Sequence, residues 1–345
     1  MDAINKEELK SKNSLENFKD LFRNTGRTFK ILLKNMPWLF SAMILLTIII
    51  GVVPVFSAQA LGTLIDKIIE GVKIQDVSVA YPVLILFAVL TAVPTVLRNI
   101  ISFLDRHLYF RMQNLFELMA LQKRSSFDIA QYEDPKFQDR LQRAFNNGIS
   151  PLINIVDTQI ANLEVFCGIV VGAIAAATID WRVFLLVFVT AIPDFWIEIK
   201  HGGKIWSIQA KNSTEQRRYQ DLRRFFMGKI SIVDSKLYQA SSKFLLEIKK
   251  ILEKFADEEL SAEHWKIIMK IGASIFAALG LFVGTAMIIN EAVAGVVAIG
   301  TVVFAFQTLN RVSGWTSSML SNTARILERN LYATDIFSIF DQKPA

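Results

Sequence analysis

The sequence predicts an all-α membrane protein in which six transmembrane helices carry long cytoplasmic extensions. Hydrophobic residues make up 52% of the 345 residues and the mean hydropathy is +0.36, which is high for a soluble domain. Uncharged runs long enough to cross roughly 30 Å of hydrocarbon alternate with strongly charged stretches. The charged stretches keep a helical spacing of apolar residues, so we expect them to continue the membrane helices into the cytoplasm.

Three predicted spans lie in the first half of the chain. No charged residue occurs between Lys34 and Asp66, a run longer than the roughly 20 residues that a membrane helix needs. The second run contains Pro82 and Pro94, which indicate a kinked helix. The third is rich in Gly and Ala, which allow neighbouring helices to approach closely. These predicted spans cover residues 38–61, 80–104 and 158–179.

Three further spans are predicted in the second half. The uncharged run 183–193 is too short to cross the membrane alone, so the helix is expected to continue through Asp194 and Glu198. Two later uncharged runs are separated by Glu291, which predicts a hairpin with a very short outer turn. These predicted spans cover residues 182–202, 268–290 and 292–314.

The distribution of Lys and Arg predicts the orientation in the membrane. Of 38 such residues, only Lys67, Lys73 and Arg182 fall in the first, third and fifth connections between spans. Positive charge concentrates on the cytoplasmic side of membrane proteins, so both termini are predicted to be cytoplasmic. The formal net charge of +6 is thus expected to lie mainly on that side.

The second and fourth connections, residues 103–157 and 199–270, are long, charged and helical in their apolar spacing. No proline occurs between residues 228 and 289. This absence predicts one continuous helix of about 90 Å that projects far into the cytoplasm.

Each long connection contains a short segment with the features of a capped surface helix. In the segment 132–141, Asp134 precedes Pro135, which suits an N-cap followed by proline at the first helical position. The second segment, 219–226, is followed by Gly228, which offers a break before the next helix.

These features together resemble the transmembrane domain of ABC exporters, over nearly the whole chain. Residues 232–238 are similar to the Lys-Glu-Ile-Arg-Leu-Phe stretch of many bacterial half-transporters, with Val233 where Lys is usual and Asp234 where Glu is usual. Residues 325–341 resemble the end of the sixth helix just before the nucleotide-binding domain. The resemblance implies an integral protein of the bacterial plasma membrane that moves a substrate outward.

In that family, each long connection turns through a short transverse coupling helix, which docks on a nucleotide-binding domain. The resemblance therefore implies coupling segments at residues 132–141 and 217–227. An apolar side chain on each segment, Phe137 or Phe225, is expected to fill a pocket on that domain. The candidate coupling residues are Pro135, Phe137, Asp139, Arg140, Tyr219, Leu222 and Phe225.

The chain has no G-x-x-x-x-G-K-[ST] motif and so no backbone cradle for ATP phosphates. No catalytic residue or cofactor site is expected in it; ATP and Mg are expected in an attached or partner nucleotide-binding domain. Two explanations are open for the lack of an ATPase domain: the sequence is truncated at a domain junction, or the ATPase is a separate chain. Truncation is favoured. A second transmembrane domain, in a homodimer or a heterodimer, and membrane lipids are the other implied partners. The expected parts are a cytoplasmic N-terminal tail (1–34), a six-helix transmembrane domain (35–341) and the junction (342–345).

Several polar side chains lie within the predicted spans or at their cytoplasmic ends. Charges exposed to lipid are unfavourable, so these side chains are expected to face a cavity, to pair with one another, or to reach toward the interface. For Arg98 and Glu164, a hydrated cavity and a structural ion pair between the second and third spans are equally compatible with the sequence. The candidate cavity residues are Arg98, Glu164, Asp194, Glu198, Gln307, Asn310 and Arg311.

Other classes of function are disfavoured or left as alternatives. His107, His201 and His264 show no metal-ligand spacing, so no metal site is expected. Basic residues are interspersed with acids along helical faces, which disfavours nucleic-acid binding. Cys167 is interpreted as a buried inert thiol. An ATP-independent secondary transporter and a non-transporting membrane regulator on the same scaffold are the alternative functions, and the identity of the substrate stays open.

Overall fold

The computed structural model describes residues 14–342 with several gaps. The gaps are residues 146–147, 183–184, 187–188, 191, 195, 199, 202–207, 209–211, 229–231, 234–236 and 240. Within the described residues the fold is entirely helical and contains no strand. The principal helices are α1 (Ser14–Asn35), α2 (Pro37–Ile74), α3 (Tyr81–Ser125), α4 (Ile129–Glu133), α5 (Pro135–Phe145), α6 (Ser150–Ile179), α7 (Ser213–Met227), α8 (Ser241–Val293) and α9 (Ile299–Asp341).

Among the described residues, four helices are long and apolar enough to cross a membrane. They are α2, α3 together with the 3-10 turn Val77–Ala80 that precedes it, α6 and α8. The predicted spans 38–61, 80–104, 158–179 and 268–290 fall within these helices. The predicted span 292–314 lies mostly in α9, and the span 182–202 includes several residues outside the described set. The count of six spans therefore stays a prediction.

The structure gives helical bounds for three regions that the sequence described less closely. Residues 14–34 of the expected tail belong to helix α1. The helix that was predicted to project into the cytoplasm begins at Ser241 and not near Gly228, since Gln239 adopts a left-handed φ of +51° in the turn just before it. Its 53 residues correspond to roughly 80 Å. The predicted outer hairpin turns between α8 and α9, where Gly295 has a φ of +77° that suits glycine.

The described chain divides into two compact units, Met1–Ala191 with Ala277–Ala345, and Ile192–Phe276. The first unit contains the larger hydrophobic core, built by α1, α2, α3, α5, α6 and α9. Phe40, Phe116, Phe137 and Phe337 are its largest fully buried side chains. A smaller cluster in the same unit joins Ala176, Ile288, Ala305 and Leu309. The larger core thus holds α1, the C-terminal part of α9 and the connection after α3 together.

Helices α2 and α9 cross at very short distance near the start of α9. A Cβ on Gly62 would lie 2.5 Å from the carbonyl oxygen of Gly300, and a Cβ on Gly300 would overlap the carbonyl oxygen of Gly62. The Asp66 carboxylate accepts a hydrogen bond of 2.7 Å from the Gly300 backbone N–H. This bond satisfies an N–H group that the first turn of a helix otherwise leaves unpaired. Only glycine at both positions allows this approach.

Candidate functional site

An ion pair joins α3 to α6 in the first unit. Arg98 Nη2 lies 3.2 Å from Glu164 Oε1. The Glu164 side chain is 29% exposed and that of Arg98 is 64% exposed, so the glutamate is the more enclosed partner. The α2 backbone also passes close by, because a Cβ on Gly51 would overlap the Glu164 carbonyl oxygen. The structure therefore contains the ion pair, one of the two arrangements open for these residues; a cavity role for them stays a prediction.

A second group of charges lies in the unit Ile192–Phe276. Lys270 Nζ is 2.5 Å from Glu198 Oε1 and 3.9 Å from Asp194 Oδ1, and Lys266 Nζ is 3.9 Å from Glu198 Oε2. Glu198 is only 4% exposed. A buried carboxylate is tolerated when cations and hydrogen bonds compensate for its lost hydration. Asp194 and Glu198 are thus members of an ion-pair network.

The sequence contains a signal for this network. Asp194 and Glu198 are four residues apart, and so are Lys266 and Lys270. Residues at this spacing share one face of a helix, so two acids on one helix match two lysines on another. His201 extends the group, since its Nε2 lies 3.0 Å from Glu263 Oε1.

The remaining cavity candidates lie on α9. Its residues Thr308, Leu309 and Val312 are buried. Asn310 and Arg311 are exposed, and Gln307 is half-buried. Asp194 and Glu198 belong to the other compact unit, and the remaining five candidates belong to the first. Their shared role as a cavity lining stays a prediction.

The first candidate coupling segment consists of α4 and α5. Asp128 and Gln131 form a capping box at the start of α4, and the Asp134 carbonyl accepts hydrogen bonds from the N–H groups of Phe137 and Gln138 at the start of α5. Arg140 is exposed on α5. The side chains of Pro135 and Asp139 lie outside the described set.

Phe137 does not have the outward position expected for an anchor. It is 1% exposed, and its ring packs edge-to-face against Phe127 and Tyr132 at centroid distances of 5.0 and 5.7 Å. α5 is a short amphipathic helix, and its large apolar residue is buried in the chain's own core. The expectation that Phe137 fills a pocket on another domain is therefore replaced by an internal packing role.

The second candidate coupling segment lies on α7. Tyr219, Leu222 and Phe225 are all half-buried. The Phe225 ring packs edge-to-face on Phe244 of α8 at 5.4 Å, so its availability as an external anchor is reduced. The similar stretch 232–238 includes residues 234–236, which lie outside the described set.

Polar contacts fasten α7 to α8. Lys254 Nζ lies 2.6 Å from Glu215 Oε1, the Asn212 amide donates a 2.5 Å hydrogen bond to Glu258, and Arg218 pairs with Glu247. These contacts hold the start and middle of α7 against the long helix.

Side chains that ligate metal ions do not cluster in the described part of the chain. In the part of the chain that the structure describes, no group of three or more His, Cys, Asp or Glu side chains could hold a metal ion. The sequence also lacks a phosphate-binding loop.

The four apolar helices and the ion pairs in and beside them are typical of an integral helical membrane protein.

No protein-family model matches the chain. Two curated relatives are similar to it. The subtilin transport ATP-binding protein SpaT of Bacillus subtilis is 20% identical over 340 residues, which cover 97% of this chain and 54% of SpaT.

The second relative is the nisin transport ATP-binding protein NisT of Lactococcus lactis subsp. lactis. It is 18% identical over 262 residues, which cover 76% of this chain and 44% of NisT. The chain thus spans about half the length of the curated relatives it matches. These similarities and the apolar helices support an ABC transporter membrane component.

Proposed function

We propose that the chain is the transmembrane permease domain of an ATP-driven ABC exporter. The observation that carries this proposal is its alignment, over 97% of its length, with about half of a transport ATP-binding protein. The chain itself lacks the phosphate-binding loop that ATP binding requires. The matched half is therefore the part that builds the path through the membrane.

In this proposal the helices α2, α3, α6 and α8, with α9 and the predicted span 182–202, form the translocation pathway. The segments α4–α5 and α7 contact nucleotide-binding domains, which supply ATP and Mg chemistry. The capped geometry of α4 and the polar fastening of α7 support this role, because a segment that transmits force has to be held firmly. Two such membrane domains pair, and both termini are cytoplasmic.

Transport by the gene product that contains this sequence tests the proposal. The protein is reconstituted in proteoliposomes. The assay measures ATP-dependent accumulation of fluorescent nisin or subtilin, the two molecules that appear in the names of the relatives. A non-hydrolysable ATP analogue is the matched control. We expect accumulation with ATP and no accumulation with the analogue. Accumulation driven by an ion gradient without ATP would support the secondary-transporter alternative.

Topology provides an independent test. Single cysteines replace Arg140 or Tyr219 in a Cys167→Ala background, and labelling by an impermeant thiol reagent is measured. We expect labelling only in opened or inverted vesicles, because the charged connections lie in the cytoplasm. Labelling in intact cells would reverse the proposed orientation.

A further inference from the structure

Helix α1 is fastened to the C-terminal end of α9 by buried polar contacts. The Asn24 side-chain amide donates hydrogen bonds to Asn330 Oδ1 at 2.9 Å and to Thr334 Oγ1 at 2.8 Å. Asn24 and Asn330 are each 1% exposed. Buried amides need defined partners, so this contact specifies how the two helices pair.

The last turn of α9 is held by a second, charged contact. The Arg27 guanidinium donates to both oxygens of Asp341, with Nη1–Oδ2 at 2.7 Å and Nη2–Oδ1 at 2.5 Å. The same guanidinium lies 4.4 Å from the centre of the Phe337 ring. A bidentate pair of this kind fixes orientation as well as distance.

The electrostatic environment favours the ionised form of both partners. The hydrogen bond to Arg27 lowers the pKa of Asp341, and that bond likewise raises the pKa of Arg27. A carboxyl with a lowered pKa contributes stability above its ordinary pKa range and loses it as the pH falls through the lowered value. The contact therefore persists throughout the neutral range.

Other faces of α1 contact membrane helices of the same unit. The Phe29 ring packs edge-to-face on Phe40 of α2 at 5.0 Å. The Gln159 amide of α6 donates a 3.4 Å hydrogen bond to Thr25. Leu32 is fully buried in the main core. One helix thus contacts α2, α6 and the end of α9 at once.

We propose that α1 is a strap that transmits displacement of the C-terminal end of α9 to α2 and α6. The contacts that attach this strap to α9 join Asn24 and Arg27 of α1 to Asn330, Thr334 and Asp341. Hydrophobic packing alone would allow the helices to slide, whereas the amide and bidentate contacts have one geometry. A movement that pulls Asp341 therefore moves α1, and α1 moves against Phe40 and Gln159. This role does not depend on the proposed transport function.

Hydrogen exchange on this chain in lipid nanodiscs tests the strap. Amide exchange is followed in peptides from residues 330–341 of α9, 152–161 of α6 and 37–46 of α2. The variant is Arg27→Ala, and Lys30→Ala, which removes an exposed charge on the same helix, is the matched control. We expect Arg27→Ala to make amide exchange roughly threefold faster in all three peptides. Lys30→Ala should leave the exchange rates unchanged.

A second variant tests whether Arg27 acts through its partner. Asp341→Ala should reproduce the three changes, and the double variant should add nothing to either single one. Faster exchange confined to α1 and residues 330–341 would show only a local fastener and overturn the strap. An equal rise in a peptide from residues 301–309, at the other end of α9, would show general loosening and overturn it as well. Unchanged exchange in every peptide would also overturn the strap.

Discussion

Arg98→Ala and Glu164→Gln each remove one half of the ion pair between α3 and α6. A charge at the centre of a membrane helix costs about 2.5–3.5 kcal/mol on insertion scales. Glu164 is the more enclosed partner. Once Arg98 is removed, its carboxylate therefore has less access to water or to another cation that could stabilise the charge. We expect Arg98→Ala to lower the free energy of unfolding by about 2 kcal/mol. Glu164→Gln should lower it by about 1 kcal/mol, because the long Arg98 side chain can reach toward the interface.

The measurement is a double-mutant cycle on the melting temperature in lipid nanodiscs. One kcal/mol corresponds to roughly 2 °C for a chain of this size. The double variant should recover about 1 kcal/mol relative to the sum of the single variants. The matched control is the pair Lys67 and Glu70, which lies within α2 and is exposed. Its cycle should show about 0.5 kcal/mol or less.

Additive effects of Arg98→Ala and Glu164→Gln, within about 0.3 kcal/mol, would refute the reasoning that the pair stabilises the helix contact. A change in substrate preference of the Glu164→Gln transporter, with its melting temperature unchanged, would then support the cavity alternative for Glu164.

Three further predictions use the same melting assay. Gly300→Ala should destabilise by about 1–3 kcal/mol because its Cβ overlaps the α2 backbone, whereas Gly314→Ala on the same helix meets no neighbour and should stabilise by about 0.5–1 kcal/mol. Glu198→Gln should cost about 2 kcal/mol because it removes the buried carboxylate that pairs with the partly exposed Lys266 and Lys270, and the exposed Glu259→Gln should cost about 0.5 kcal/mol or less. Phe137→Ala should cost about 3–5 kcal/mol.

The apolar runs predict much of the fold because lipid allows few alternatives. In hydrocarbon, every backbone polar group has to be paired within the helix itself, so a long apolar run in α2 or α6 has one available structure. The start of α8 depended instead on one local feature, the left-handed Gln239, which is not a glycine and gives no sequence signal. Helix α1 lies in the segment that was predicted only as a cytoplasmic tail, because its apolar residues, such as Leu21 and Leu32, are interspersed with charges.

The candidate site was less predictable because a single helix pattern does not give the direction in which a side chain faces. Arg98 and Glu164 lie on different helices, and their pairing depends on the rotation of each helix about its axis. The network around Glu198 was more accessible, since the spacing of Asp194 with Glu198 and of Lys266 with Lys270 already matched. For Phe137, the expected outward position neglected the need of a short amphipathic helix to bury its apolar face.

Phe137 distinguishes packing from docking when two properties are measured on one variant. If the ring packs in the core, Phe137→Ala leaves a cavity and lowers the melting temperature by several degrees, as expected for the loss of a fully buried Phe. Phe110→Ala, which truncates a largely exposed ring on α3, should change it little. ATPase stimulation by substrate in the complete transporter should fall only as far as folded protein is lost. If Phe137→Ala instead abolished stimulation and left the melting temperature unchanged, the ring would contact the nucleotide-binding domain, and the packing assignment would be wrong.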